Sequence, residues 1–136
     1  MKSVLILCTG NSCRSQMAEG IATALYADTH TFFSAGTKPS HVHPIAIAVM
    51  AEIGIDISGN RSKSVTEFEG QVFDSIVTVC DDADQNCPYF HGPARRVHWG
   101  FDDPALATGT PDEILHFFRS VRDAIYDKFL KDGRRL

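Results

Sequence analysis

Short apolar runs alternate along the chain with stretches in which apolar residues recur every three or four positions. Val4, Leu5, Ile6 and Leu7 are consecutive and predict a buried strand over 4–7. Thr9-Gly10-Asn11-Ser12 is turn chemistry. Met17, Ala18, Ile21, Ala22 and Leu25 then fall at helical spacing and predict a helix over 14–26. A second short strand is expected over 31–33, closed by Gly36. Pro44 opens a helix carrying Ile45, Ala48, Val49 and Ile53, stopped by Gly54. A further short helix is expected over 64–68, a third strand over 72–79 and a fourth over 95–99. Thr110, Pro111 and Glu113 suit the N-cap, N1 and N3 positions of a final helix. Ile114, Phe117, Phe118, Val121 and Ile125 should line its core face, with Phe129 also in the core.

Strands alternating with helices imply an α/β fold, one domain spanning 1–136. Its four-stranded parallel sheet is expected in the order 2-1-3-4, with helices on both faces. Ligands in such sheets bind beyond the carboxyl ends of the strands. Residues 8–15, 80–87 and 100–104 fall on that edge. The 136 residues, 43% hydrophobic and 22% charged, suffice for one core and exclude a disordered chain. A net charge of −4 argues against a nucleic-acid or acidic-membrane binder, but a small anion still suits a locally positive site. No apolar run reaches the ~18 residues of a membrane span. The first residues lack the pattern of a secretory signal, so the expected compartment is the cytoplasm. There, Cys8, Cys13, Cys80 and Cys87 suit catalytic, redox or metal-binding roles better than a structural disulfide framework.

Cys8-Thr9-Gly10-Asn11-Ser12-Cys13-Arg14-Ser15 reads C-x5-R-S between a strand and a helix. Five intervening residues let the loop curl so that backbone N–H groups converge on an oxyanion. The helix adds its positive end, and the Arg14 fork closes the ring. Gly10 and Asn11 tolerate the positive φ such a curl needs. Thr9, Gly10, Asn11, Ser12, Cys13, Arg14 and Ser15 are therefore the candidate oxyanion-binding residues. Cys8, in that field, is the candidate thiolate nucleophile, and Ser15 could donate to it. Cys13 suits a packing role, since helix geometry turns its side chain away. The bland alternative is a buried strand-end cysteine and a surface arginine.

The chain resembles arsenate reductases built on the low-molecular-weight tyrosine phosphatase fold, of the kind reduced by thioredoxin. CTGNSCRSQMAEG (8–20), SAGT (34–37), GIDIS (54–58), VTVCDDA (77–83), Asn86-Cys87-Pro88 and HWGFDDP (98–104) carry the likeness. C-x5-R alone marks several phosphatase families, and Cys80 and Cys87 narrow it. The predicted strand order makes Cys8 and Cys80 neighbours, close enough for a disulfide. The resemblance implies the sequence of events. Cys8 attacks arsenate, Cys80 attacks Cys8 and releases arsenite, and Cys87 moves the disulfide to Cys80–Cys87 for thioredoxin. It also implies that Asp103, before Pro104, is the general acid. Phosphate and sulfate would compete with arsenate, and a monomer without bound cofactor or metal is expected.

Some relatives hold potassium with Asn, Glu, Ser and Asp side chains. Asn11, Glu19 and Ser34 match, but Lys63 stands where an Asp is expected, so an ammonium could replace the ion. A solvated surface lysine is the alternative. Ala105, Leu106 and Ala107 follow Asp103-Pro104 where phosphatase relatives carry aromatics, which favours a small inorganic oxyanion. A phosphatase acting on phosphotyrosine or small phosphoesters is the second enzyme reading, with Cys80 then protecting Cys8 from overoxidation. A non-catalytic oxyanion sensor leaves Cys8 and Asp103 without a purpose. A zinc reading of Cys80, Cys87, His91 and His98 has no familiar spacing. His30, His41, His43 and His116 form no readable constellation, and Trp99 suits core or site wall.

Overall fold

The computed structural model describes residues 1–80 and 94–136. Strands β1 (Lys2–Cys8), β2 (His30–Gly36), β3 (Ser75–Thr78) and β4 (Arg95–His98) form a parallel sheet of order β2-β1-β3-β4. Helices α1 (Arg14–Tyr26), α2 (Pro44–Ala51) and α3 (Pro111–Asp132) complete the fold, with 3-10 turns at Val65–Phe68 before β3, Pro104–Leu106 after β4 and Gly133–Arg135 after α3. β1 has a neighbour on each side, and Val4, Leu5, Ile6 and Leu7 are wholly buried. That is why its apolar run is continuous rather than alternating.

Adjacent strand residues face opposite sides of a sheet. Phe32 accordingly meets Phe129 of α3 edge-on, with ring centroids 6.3 Å apart, on the face that α1 and α3 cover. Phe33 turns to the other face and joins Phe68 and Phe73, at 5.7 and 5.9 Å. Trp99 is half-buried and packs edge-on against the core residue Phe129 at 5.2 Å, which places it at the margin of the core. Thr110 caps α3 through a full capping box with Glu113, as its sequence predicts.

Four expectations change. The third strand is shorter than 72–79, because the Asp74 side chain binds the Ser3 amide at 2.8 Å and ladder pairing begins only at Ser75. Val72 is exposed. α2 ends at Ala51 rather than running to Ile53: the amides of Ile53 and Ile55 both turn back to the Met50 carbonyl, and Gly54 has φ +79°. Phe117 leaves the α3 core face, which the i, i+3, i+4 spacing confines to Phe118, Val121, Ile125 and Phe129. Trp99 follows β4 instead of belonging to it, its amide bonding the Thr78 carbonyl at 2.8 Å.

Gly36 ends β2 opposite Cys8. A Cβ there would run into the Thr9 carbonyl and come within 2.9 Å of the Asn11 amide. Gly36→Ala is expected to cost about 1–3 kcal/mol in urea unfolding and to weaken phosphate binding in the same protein. Unchanged values in both measurements would show that the loop yields freely.

Candidate active site

β1 delivers Cys8 to the carboxyl edge of the sheet, and α1 starts six residues later at Arg14. Between them every backbone carbonyl is taken. Those of Cys8, Thr9, Gly10 and Ser12 accept from the amides of Thr37, Lys38, Ser40 and His43, at 3.2, 2.8, 3.1 and 3.1 Å. The Asn11 carbonyl accepts from Gln16 Nε2 at 3.3 Å, and that of Cys13 from the Met17 amide at 2.9 Å. In a trans peptide the N–H points opposite to the C=O. Anchoring the carbonyls outward therefore turns the following N–H groups toward the centre of the curl. Asn11, at φ +47°, is the only non-glycine residue with positive φ among the described residues. Its buried side chain locks the turn: Oδ1 accepts from Gln16 Nε2 and the Lys63 amide, both at 2.9 Å, and Nδ2 donates to Ser15 Oγ at 2.8 Å. Cys13 offers α1 no side-chain cap, so the first amides of the helix stay available to an anion.

The Arg14 guanidinium is held by the segment after β4. Nη1 donates to the Phe101 carbonyl at 3.3 Å and Nη2 lies 3.4 Å from Asp103 Oδ2. Its Nε is buried with no partner among the described residues, a donor left unsatisfied within the site. Asp103 is fixed in turn by accepting from the Ala105 amide at 3.0 Å, with buried Pro104 behind it. Asp103, not Asp102, lines the cavity of ≈ 370 Å³ that opens over Cys8, with residues 40, 41 and 43 forming the facing wall. Asp102 lines a separate cavity of ≈ 360 Å³ on the other side of Arg14, together with Cys80.

Cys8 and Cys80 are both buried thiols, and Cys80 Sγ lies 3.2 Å from Thr9 Oγ1. The Cys8 pKa is held well below the ordinary thiol value. The Cys80 thiol against it contributes most; burial opposes, and the Arg14 charge, the Ser15 hydroxyl and the Asn11 amide add to the lowering. Cys13, in the same loop, is pushed up to about 12, mainly by burial. The structure thus brings together Cys8, residues 9–15, Cys80 and Asp103. Cys87 and His91 lie outside the described residues. Among the described residues no cluster of three or more His, Cys, Asp or Glu is placed to hold a metal. His98 Nδ1 pairs with Thr78 Oγ1 at 2.8 Å.

The potassium expectation meets a donor set that does not fit the ion. Both lone pairs of Asn11 Oδ1 are in use. The Glu19 carboxylate receives Asn60 Nδ2 at 3.1 Å. Burial raises the Glu19 pKa, and the Lys63 ammonium and Ser34 pull it back. Glu19 is balanced by this chain's own cation. The sequence reading assigns no part in holding the loop to three residues that have one: Gly36, Gln16, and Ser62, whose hydroxyl donates to the Gly10 carbonyl at 2.8 Å. A glutamine two residues beyond the arginine, on the buried side of α1, was the available signal for one of them.

A loop of inward amides under a lowered thiol, with an arginine and an aspartate above it, defines an enzyme site for a tetrahedral oxyanion. The chain belongs to the low molecular weight phosphotyrosine protein phosphatase family, whose model matches residues 3–131. It is 46% identical to the arsenate reductase of Bacillus subtilis (strain 168) over 124 residues, covering 91% of this chain and 89% of that protein. It is 48% identical, with the same coverage, to the arsenate reductase of Halalkalibacterium halodurans. A solved arsenate reductase in its phosphate-binding state superposes with a TM-score of 0.75 at 34% identity, covering 99% of this chain and 98% of the other.

Because Cys80 is the largest contributor to the lowered Cys8 pKa, Cys80→Ala should raise it. Alkylation of Cys8 by iodoacetamide at pH 6, followed by peptide mass spectrometry, is expected to slow roughly tenfold, the effect of one pKa unit. Cys13 should stay unmodified in both proteins. An unaltered pH–rate curve would remove Cys80 from thiol activation.

Proposed function

We propose that the chain is an arsenate reductase working through a Cys8–Cys80–Cys87 disulfide relay recharged by thioredoxin. The observation that carries this reading is a second thiol, Cys80, lying against the activated Cys8, which itself lines the oxyanion cavity. A phosphatase needs one such thiol; a two-electron reduction needs two.

The Cys8 thiolate attacks arsenic(V), forming an S–As bond, while an oxygen leaves as water with a proton from Asp103. Loop amides and Arg14 hold the remaining oxygens. The Cys80 thiolate then attacks Cys8 Sγ. An S–S bond forms, the S–As bond breaks, and its electron pair stays on arsenic, which departs as arsenite. Two thiols have supplied two electrons. Cys87 as thiolate attacks Cys80, freeing Cys8 and leaving a Cys80–Cys87 disulfide, which the dithiol of thioredoxin reduces.

Such a cycle belongs in a reducing cytoplasm and needs one chain, since both cavity walls come from the same chain. No helix among the described residues is long and apolar enough to cross a membrane. A second reading, hydrolysis of phosphomonoesters as a side activity, uses only Cys8, Arg14 and Asp103. One feature favours it: a groove of ≈ 640 Å³ lined by Leu106, Ala107 and Phe117 shares Asp103 with the oxyanion cavity and could take an organic leaving group.

Pre-reduced Cys87→Ser protein is expected to release about one arsenite per enzyme and stop, with Cys8–Cys80 trapped in the mass spectrum, while Cys80→Ser releases none. Both variants should keep hydrolysing a phosphomonoester. Sustained thioredoxin-driven turnover of Cys87→Ser would eliminate the third step, and absence of arsenite from wild type would eliminate the reductase reading. Arg14→Lys should lower kcat/KM for arsenate by at least about tenfold, because an ammonium cannot reproduce the planar grip.

A further inference from the structure

A tetrahedral oxyanion seated over Cys8 turns some oxygens to the loop amides and Arg14, and one away from Cys8 toward the facing wall. The lining there includes Asp103, Ser40, His41 and His43. Among them His43 has a distinctive arrangement. It is the N-cap of α2, and its Nδ1 accepts from the Ile45 amide at 3.1 Å. An amide can only donate, so Nδ1 carries the lone pair and the proton of the neutral ring sits on Nε2. Nε2 has no hydrogen-bond partner among the described residues. The ring is held in place by Phe118, a fully buried α3 residue, with centroids 4.9 Å apart, and lies 6.4 Å from the His41 ring.

We propose that His43 is a further oxyanion-binding residue of this site, a neutral ring whose orientation is fixed by the α2 cap and whose Nε2–H donates to the oxygen that points away from Cys8. This rests on reading the Cys8–Arg14 loop as an oxyanion site. The chemistry suits the position. Asp103, once ionised, can only accept hydrogen bonds, and a second fixed cation there would compete with Arg14 for it. A neutral N–H serves the outward oxygen without either cost. Burial, then the charge of His41, hold the His43 pKa below its usual value, and Asp103 pulls it back up. Low pKa and capping role agree: protonation of Nδ1 would eject the Ile45 amide. The bond is made to bound substrate and to the transition state alike, so it belongs to affinity rather than to the chemical step.

His43→Asn separates the two roles, since an asparagine oxygen still caps the helix but the ring N–H is lost. Isothermal titration with inorganic phosphate and steady-state kinetics with arsenate are expected to show Kd and KM both raised about tenfold, with kcat within about twofold of wild type and Tm lowered by no more than a few degrees through the lost ring contact with Phe118. Wild-type values of Kd and KM would make His43 a helix cap and nothing more. Nitrogen-15 NMR of the wild-type imidazoles gives a readout independent of folding of the variant. Nε2 of His43 should be the protonated nitrogen at neutral pH and should shift on phosphate addition; a resonance that does not move overturns the proposal. Failure of wild type to bind phosphate would instead overturn the oxyanion site itself.

Discussion

The site depends on the outward anchoring of six consecutive carbonyls, from Cys8 to Cys13. A curled loop of this kind would relax if its carbonyls were free to turn, since its converging amide dipoles repel one another and the Asn11–Ser15 bond is its one internal side-chain brace through Asn11. Residues 37–43, the chain leaving β2, supply four of the six donors. The anion loop is thus held the way a strand is, by a ladder to a neighbouring segment, although neither segment is regular. This explains why Gly36 and Asn11 are the constrained positions: one lets the two backbones touch, the other makes the turn.

The same scaffold gives two cysteines of one loop opposite chemistry. Cys8 faces a thiol, a hydroxyl, an amide and a guanidinium, all favouring the thiolate. Cys13 sits five residues on, with burial dominating and the charges of Asp103 and Cys8 adding to it. Exposure does not separate them, since both are almost fully buried. What separates them is their partners: Cys8 has three groups donating to its sulfur besides Arg14, whereas Cys13 has, besides Arg14, only the Ser12 hydroxyl to set against burial.

Much of this was legible in the chain. The four-residue apolar run set β1 in the centre of the sheet, the capping residues set the start of α3, and C-x5-R-S set the loop. Cys80 was readable from its place at the end of a strand next to β1. Other features were hidden because they belong to tertiary contacts. Asp74 cuts β3 short through a bond to Ser3, far away in sequence. Phe117 fits the apolar pattern of α3, yet the face of a helix is wider than its contact with the sheet, so the residue at its margin lines a groove. His43 looked like one more scattered histidine, because an imidazole capping a helix leaves no pattern in its neighbours. Gln16 and Ser62 act on the loop backbone rather than on a ligand, and such service carries no motif.

The parallel sheet has a consequence for how the protein comes into being. β1 is made first, but its partner β3 is separated from it by about half of the chain, and Asp103 and α3 emerge later still. The largest contribution to the Cys8 thiolate comes from a residue that follows β3. On a ribosome-bound nascent chain Cys8 is therefore an ordinary thiol, mostly protonated at neutral pH and slow toward stray electrophiles and oxidants. Its reactivity switches on only when the sheet closes around it. Until then the nucleophile stays disarmed.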